Sequence, residues 1–454
     1  MDAQPSRVLA AGAPPGGPTF DVGAGGPPVP ETLADTGLSA GFVADLLLRA
    51  LHTRGATSGG DLAGIVCLPF TVLDDILMVL QQRRMVEVRG TAGHARSAYV
   101  FDLSHLGTER ALASMAATQY VGPAPVTLKA YEAGVARQSV HNVHLTRDAI
   151  HAGFRGLVVT PTFLDRLGPA INSARSLFLW GDAGNGKTLI AETIAALLGG
   201  AVYVPHAVLV DGQIIMVYDP VHHHPPVEDE GRDAVAPGDS LWRADAPTFD
   251  RRYVRCRRPT VITGGELTFE QLELRHDPVS RVYQAPVQVK ANNGVLILDD
   301  FGRQRVEPRA LLNRWMIPLE QRRDYLALHT GTKFTMPFDC LLVFATNLDP
   351  AELVEEAFLR RIRYKIEVKG PDRGQYAEML RRCCDERGIV FDPTAVDHLY
   401  ARYYGTQGLE PRACHPRDVA DHVCDVARYY GRERSLERSM LDRACESYFL
   451  MEAG

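Results

Sequence analysis

Hydrophobic positions along this 454-residue chain change their period several times, and each change marks a unit. Helical spacing runs through "GFVADLLLRALHTRG" (Gly41 to Gly55), a glycine-terminated amphipathic helix, then "SGGDLAGIV", then "PFTVLDDILMVLQQRRM" (Pro69 to Met85). Alternation takes over in "VEVRG" and "AYVFDLS", which predict a hairpin around the turn-rich "TAGHARS". Continuous apolar runs follow, as expected of strands buried on both faces of a parallel sheet: Leu177 to Trp180, "GVLILDD" ending at Asp300, and "FDCLLVFATN" ending at Asn347. "AVYVPHAVLV" (Ala201 to Val210) is expected to be the second strand, "GQIIMVYD" another, and "RYKIEV" the last. A helical segment closes the chain. The pattern divides it into a Pro/Gly-rich tail (1–30), a small α+β unit (31–119), a linker (120–156), an α/β unit (157–369) with an insertion at about 219–290, and a helical lid (370–454).

Between the run Leu177–Trp180 and a helix ending at Gly199-Gly200 stands Gly181-Asp182-Ala183-Gly184-Asn185-Gly186-Lys187-Thr188. It fits G-x-x-x-x-G-K-[ST] in full, in the strand–loop–helix context that motif requires. Its glycines let backbone N–H groups turn inward around phosphates, and the helix N-terminus adds its positive dipole end. Lys187 is expected to reach the β- and γ-phosphates of ATP and the Thr188 hydroxyl to ligate Mg²⁺. The chain has six lysines against 43 arginines, so a lysine here is not background usage.

Composition narrows the partners. A net charge of −6 advertises no global field for nucleic acid. The eight cysteines include no C-x-x-C pair and read as thiols of a reducing cytosol, so a cytoplasmic protein is expected. No apolar run approaches the length of a membrane span, and the first 30 residues lack the basic start and apolar core of a signal peptide.

Further chemistry sits at strand ends. Asp299 is placed to hold Mg²⁺ through water close to Thr188, and Asp300 to polarise an attacking water, although a Glu is usual there. Asn347 ends its strand on the side where ligands sit in open α/β sheets. "EEAFLRRIRYKIEV" sets Arg360-Arg361 on a short helix before the last strand, and "ACHPRDVADHV" sets Arg417 at a helix start. In that order, Lys187, Asp299, Asn347, Arg361 and Arg417 resemble the series of the AAA+ ATPases: phosphate loop, acidic strand, sensor 1, arginine finger, sensor 2. The resemblance covers about Leu157 to Leu450. Within it, the stretch from Leu311 to Pro350 is similar to the MoxR-type, chaperone-like branch, with a hairpin just before the sensor-1 strand, and it favours Arg361 over Arg360 as the finger. The resemblance implies an ATPase ring, usually a hexamer, in which one subunit's finger completes its neighbour's site. It also implies remodelling of a protein partner. The texture of the chain is similar to bacterial chaperone-like ATPases of pilus assembly, so a pilus- or secretion-related substrate is one expectation.

Each residue also has a plainer reading. Arg361 is equally a surface charge, Asn347 a loop cap, Arg417 the partner of a helix carboxylate. Glu320, in "PLEQRRDY", is expected as a solvated helix residue rather than a second acidic group at a subunit boundary. The unit 31–119 resembles a winged helix, with Thr71, Asp74, Asp75, Gln81, Gln82, Arg83 and Arg84 on or near its reading helix. Only the end of that helix is basic, so a protein-docking role is favoured over DNA binding. Three adjacent histidines, His222, His223 and His224, followed by Glu228, Asp229 and Glu230, are a poor metal site, because neighbours in sequence point different ways. The arginines of "DRRYVRCRRPTVITGGEL" (Asp250 to Leu267) face either a pore, an acidic partner or solvent. Two other classes stay open: an ATP-controlled DNA-binding regulator or DNA-remodelling ATPase, and a nucleotide-gated scaffold that hydrolyses weakly because Asp300 is short.

Overall fold

A computed structural model describes residues 26–226, 248–353, 359–405 and 408–449. Most of the tail, and Glu228, Asp229 and Glu230, lie outside the described residues. The apolar runs that predict buried strands form a parallel five-stranded sheet: β1 (Leu177–Trp180), β2 (Thr260–Thr263), β3 (Val295–Leu298), β4 (Leu341–Thr346) and β5 (Tyr364–Glu367). Their order is β2-β3-β4-β1-β5. Every residue of β3 and β4 is buried, because helices cover both faces. Phe178 of β1 stacks on Phe344 of β4 with ring centroids 5.5 Å apart, and Phe301 meets both edge-on.

The second strand is not where periodicity puts it. Ala201–Pro205 leaves the core sheet and pairs antiparallel with Tyr253–Arg257, while Ala207–Val210 joins a separate mixed sheet. The strand beside β3 is Thr260–Thr263, inside the range expected to be an insertion. Both segments are short and apolar, so only pairing partners distinguish them.

The mixed sheet runs Arg275–Asp277, Val282–Gln284, Gln213–Met216, Ala207–Val210 and Val126–Thr127. Its last strand comes from the stretch 120–156 expected as a linker. That stretch instead carries the strand and the helices Leu128–Arg137 and Arg147–Gly153. The N-terminal unit has helices Ala40–Arg54, Gly59–Val66 and Phe70–Gln82, then strands Val86–Thr91 and Tyr99–Leu103 with Thr57–Ser58 added at the edge. It does not close its own core. Leu46, Leu73, Leu77 and Phe101 share one buried cluster with Ala207, Ile214 and Val282 of the mixed sheet. A buried ion pair reinforces the junction: Arg252 holds Asp250 at 2.7 Å and donates to the Thr36 carbonyl at 3.2 Å. Arg258 is likewise buried, donating to the carbonyls of Gln138 and Asn293. Two arginines of the basic stretch thus serve the interior, whatever the others face.

His223 is also interior, 1% exposed, with both ring nitrogens engaged. Nδ1 accepts from the Asp219 amide at 2.9 Å and Nε2 donates to the Lys290 carbonyl at 2.9 Å, which describes a neutral ring. Among the described residues no group of three or more His, Cys, Asp or Glu is arranged to hold a metal ion. Burial depresses the pKa of His223, His206 and His415 to about 4 each. The unfolded chain, with histidines near 6.5, therefore takes up protons first as pH falls, so stability is full above about pH 6.5 and is lost towards pH 4. The slope is about 1.4 kcal/mol per pH unit for each such proton. Thermal melts from pH 7 to 4 are expected to show a shallower loss for His223→Gln than for wild type; parallel curves would mean that His223 titrates normally in the fold.

The lid packs helices Arg373–Arg387, Pro393–Leu399, His415–Tyr430 and Arg438–Tyr448 around Tyr376, Leu380, Val419, Val423 and Leu441. Among the described residues no single helix is long and apolar enough to cross a membrane.

Candidate nucleotide site

The glycine loop leaves the carboxyl end of β1 in a conformation that side chains resist. Gly181 has φ 133°, and a Cβ there would stand 2.5 Å from the Val368 carbonyl. Gly184 has φ 84°, and its Cβ would meet Cys414 Sγ at 2.6 Å. The helix Lys187–Leu198 starts directly after the loop with no side-chain cap, so its first N–H groups face the loop's concavity.

Five predicted residues converge there. Lys187 is buried, and its Nζ donates to the carbonyls of Gly181 at 2.7 Å and Asp182 at 2.8 Å and to Asn347 Oδ1 at 2.5 Å. Burial holds the pKa of its ammonium below the usual lysine value, against the pull of Asp299, Asp300 and Asp182. The Thr188 hydroxyl donates to Asp299 Oδ2 at 2.8 Å, linking helix start to acidic strand. Asn347 Nδ2 donates to Asp300 Oδ1 at 3.3 Å, so one amide bridges Lys187 and Asp300. The loop-cap reading of Asn347 falls to Thr346, whose Oγ1 accepts from the Leu348 amide. Asp300 is held at φ 48°, in the left-handed region an Asp tolerates better than most side chains. Thr188 and Asp299 offer an all-oxygen pair, the donor chemistry that suits Mg²⁺.

Arg361 lies at the other end of the sheet. Its carbonyl accepts from Ser176 Oγ, just before β1, and β1 needs four residues, about 13 Å of strand, to reach Gly181. Its Nε is 2.5 Å from Glu320 Oε1. Glu320 is therefore paired, not simply solvated as expected. The two line a cavity of about 350 Å³ with Arg175, Arg322, Arg360 and Arg363. Arg322 is anchored there by the carbonyls of Ala174 and Cys340.

Arg417 does not join the loop cluster. Its Nε and Nη2 both donate to Asp418 Oδ1, at 3.1 and 3.0 Å. The lid touches the loop through other atoms, unmarked by any motif: the Cys414 amide donates to the Gly184 carbonyl at 2.9 Å and the Ala413 amide to Asn185 Oδ1 at 3.3 Å. Gln304 is a second unforeseen support, donating to the Asp299 carbonyl at 2.9 Å.

The hairpin expected before β4 is present as Arg323–Ala327 and Lys333–Pro337. Leu326 and Met336 bury it against the mixed sheet.

Comparison with known proteins adds the following. Residues 372–447 match a family described as a domain of unknown function (DUF8689). No curated protein matches the chain. Among solved structures, the chain is similar to the Thermotoga maritima RuvB Holliday junction branch migration motor, at 13% identity and TM-score 0.36 over 64% of this chain and 69% of that one. It is similar to NtrX from Brucella abortus at 12% identity and TM-score 0.38, over 84% of this chain and 64% of that one. A complex of subunits BchI and BchD of magnesium chelatase is similar at 16% identity and TM-score 0.32, over 63% of this chain and 89% of that one.

Proposed function

We propose that this chain is an AAA+ type ATPase that binds Mg·ATP at the Gly181–Thr188 loop, hydrolyses it in a ring of like subunits, and uses the cycle to remodel a protein partner. The observation that carries this reading is the linked pair of contacts at the carboxyl ends of the sheet, Lys187–Asn347–Asp300 and Thr188–Asp299. Phosphate loop, metal-side carboxylate and water-side carboxylate are thereby joined by hydrogen bonds, which is the preorganisation that phosphoryl transfer uses. Lys187 and the loop amides would hold the phosphates, and Thr188 and Asp299 the metal. Bound Mg²⁺ supplies neutralisation of charge across the phosphates. Asp300, steered by Asn347, would orient the water. Arg361, a strand's length from its own loop, is suited to a neighbour's site instead. That placement supports a ring, with a hexamer as the usual size.

Steady-state phosphate release is the test. Wild type is expected to hydrolyse ATP in a Mg²⁺-dependent way, and Asp300→Asn to bind ATP but turn over at least about 10²-fold more slowly. Normal turnover in Asp300→Asn would remove Asp300 from the water's path. ATP binding without turnover in wild type would favour the nucleotide-gated scaffold.

The N-terminal unit, taken as a winged helix, is assigned to protein docking on a specific observation. Asp74 on the helix Phe70–Gln82 ion-pairs with Arg96 at 2.7 Å, which uses a charge that DNA phosphates would need. Asp75 is exposed beside it, and Met78 and Val79 are 37% and 43% exposed on the same helix. An acidic and apolar face suits a protein better than a duplex. A salt-sensitive affinity of the full chain for duplex DNA would reverse that assignment. The partner belongs to the class of proteins remodelled by such rings, with pilus- or secretion-related substrates as first candidates in a bacterial cytoplasm.

A further inference from the structure

The cavity at the amino end of the sheet is ringed by charge of one sign. Arg175, Arg322, Arg360, Arg361 and Arg363 line it against a single carboxylate, Glu320. They come from three segments far apart in sequence: the stretch before β1, the end of the helix Pro308–Gln321, and the stretch before β5. Folding thus gathers like charges whose mutual repulsion an anion from outside would relieve.

Arg322 is the most enclosed of them. Its Nη1 and Nη2 donate to the carbonyls of Cys340 at 3.2 Å and Ala174 at 2.6 Å, and among the described residues it meets no carboxylate. Burial holds its pKa below the usual arginine value, with Arg175 adding to this against the pull of Cys340 and Asp339. Asp339 does not line the cavity. Its carboxylate accepts from Ser139 Oγ at 2.8 Å, the Val140 amide at 3.2 Å and Asn293 Nδ2 at 2.8 Å. Arg175 and Arg363 are exposed, and among the described residues their guanidiniums enter no hydrogen bond or ion pair.

The rest of the wall is apolar. Phe338, Cys340 and Leu342 are buried beneath the arginines, and Leu319 is half-buried beside them. A volume of about 350 Å³ admits one apolar side chain with a flanking carboxylate, but not a duplex. Glu320 shows what the arginines accept: a carboxylate carried on a polypeptide, half-exposed and 2.5 Å from Arg361 Nε.

We infer that this cavity is a docking site for an acidic segment of a partner protein. Carboxylates of the segment pair with Arg175, Arg322 and Arg363, and an adjoining apolar side chain meets Phe338 and Leu342. Guanidiniums suit this role because their planar fork matches a carboxylate with two parallel N–H bonds. The seated segment also competes with Glu320 for Arg361. The site lies at the opposite end of the sheet from the phosphate loop, and the inference does not rest on the ATPase reading.

The test uses the full chain without nucleotide and a fluorescein-labelled peptide of alternating glutamate and leucine, followed by fluorescence anisotropy with melting temperatures alongside. Exchanging the glutamates for glutamine is expected to weaken binding about tenfold or more, and the leucines for serine about threefold or more. Arg175→Ala combined with Arg363→Ala should weaken it about tenfold or more at an unchanged melting temperature. Glu320→Gln should tighten it about threefold, because the resident carboxylate no longer competes; a merely structural role would not improve binding. Wild type that binds no peptide, wild-type affinity in the double variant, or equal binding of the glutamine peptide would overturn the inference. So would unchanged or weaker binding in Glu320→Gln. Citrate that displaces the peptide at equal concentration would place the ligand among small carboxylates, and an oligonucleotide that binds more tightly would make this a nucleic-acid surface. Either result would overturn the assignment to an acidic protein segment.

Discussion

Lys187→Ala is expected to reduce ATP turnover by about 10²-fold or more while the chain keeps its fold. Lys187 has three N–H donors and three acceptors around them, the carbonyls of Gly181 and Asp182 and the Asn347 amide oxygen. None of these is a packing contact. Truncation removes a buried ammonium, so relief of desolvation offsets part of the lost hydrogen bonding, and the change in stability should stay near 1 kcal/mol. Activity has no such offset, because the ammonium proposed to meet the phosphates is gone. Loss of the Lys187–Asn347 contact also frees the amide that steers Asp300, so the rate should fall further than binding does. Phosphate release together with a melting curve checks this. Wild-type turnover in the variant would remove the loop from the reaction altogether, and an unfolded variant would show that the network is structural.

Arg361→Ala carries the second large effect, a loss of roughly 10³-fold or more in turnover with ATP affinity nearly kept. Arg361 sits at the amino end of the sheet and the loop at the carboxyl end, so removing its guanidinium leaves its own pocket intact. What it removes, on the proposed ring reading, is a charge offered to a neighbour. Mixing Arg361→Ala with Lys187→Ala subunits should therefore restore some turnover, because intact pockets then meet intact arginines at some interfaces, whereas neither variant alone is active. Wild-type specific activity should also rise with protein concentration as rings assemble. Glu320 sharpens the expectation. Its carboxylate lies 2.5 Å from Arg361 Nε, so the arginine must exchange one anion for another to act across an interface. Glu320→Gln should ease that exchange and move the activity to lower protein concentration. Concentration-independent activity with no complementation would mean that Arg361 acts on its own subunit or not at all.

Local chemistry determined a good deal of this protein by sequence alone. Gly181–Thr188 is legible because a phosphate loop needs positive φ and bare backbone at set positions, and only glycine supplies both. Asp299 and Asn347 are legible because each ends a four- to six-residue apolar run, and parallel strands buried on both faces have no other pattern. Helices of the N-terminal unit follow from period and turn residues in the same way, whereas the hairpin before β4 is expected only from the resemblance. The tertiary structure alone decided what depends on partners far away in sequence. Ala201–Pro205 and Thr260–Thr263 look alike as strands, and only the side of β3 that stays open for pairing selects the second. The stretch 120–156 reads as a linker because its strand has just two residues, yet pairing with Ala207–Val210 places it in a sheet. Glu320 reads as solvated until folding brings Arg361, 41 residues on, against it. Arg417 reads either as a nucleotide-facing residue or as the partner of a helix carboxylate, and the sequence leaves both open. Asp418, its neighbour in sequence, holds it, while the lid meets the loop through the amides of Ala413 and Cys414, a contact supplied by packing, which acts through space and leaves no period in the chain.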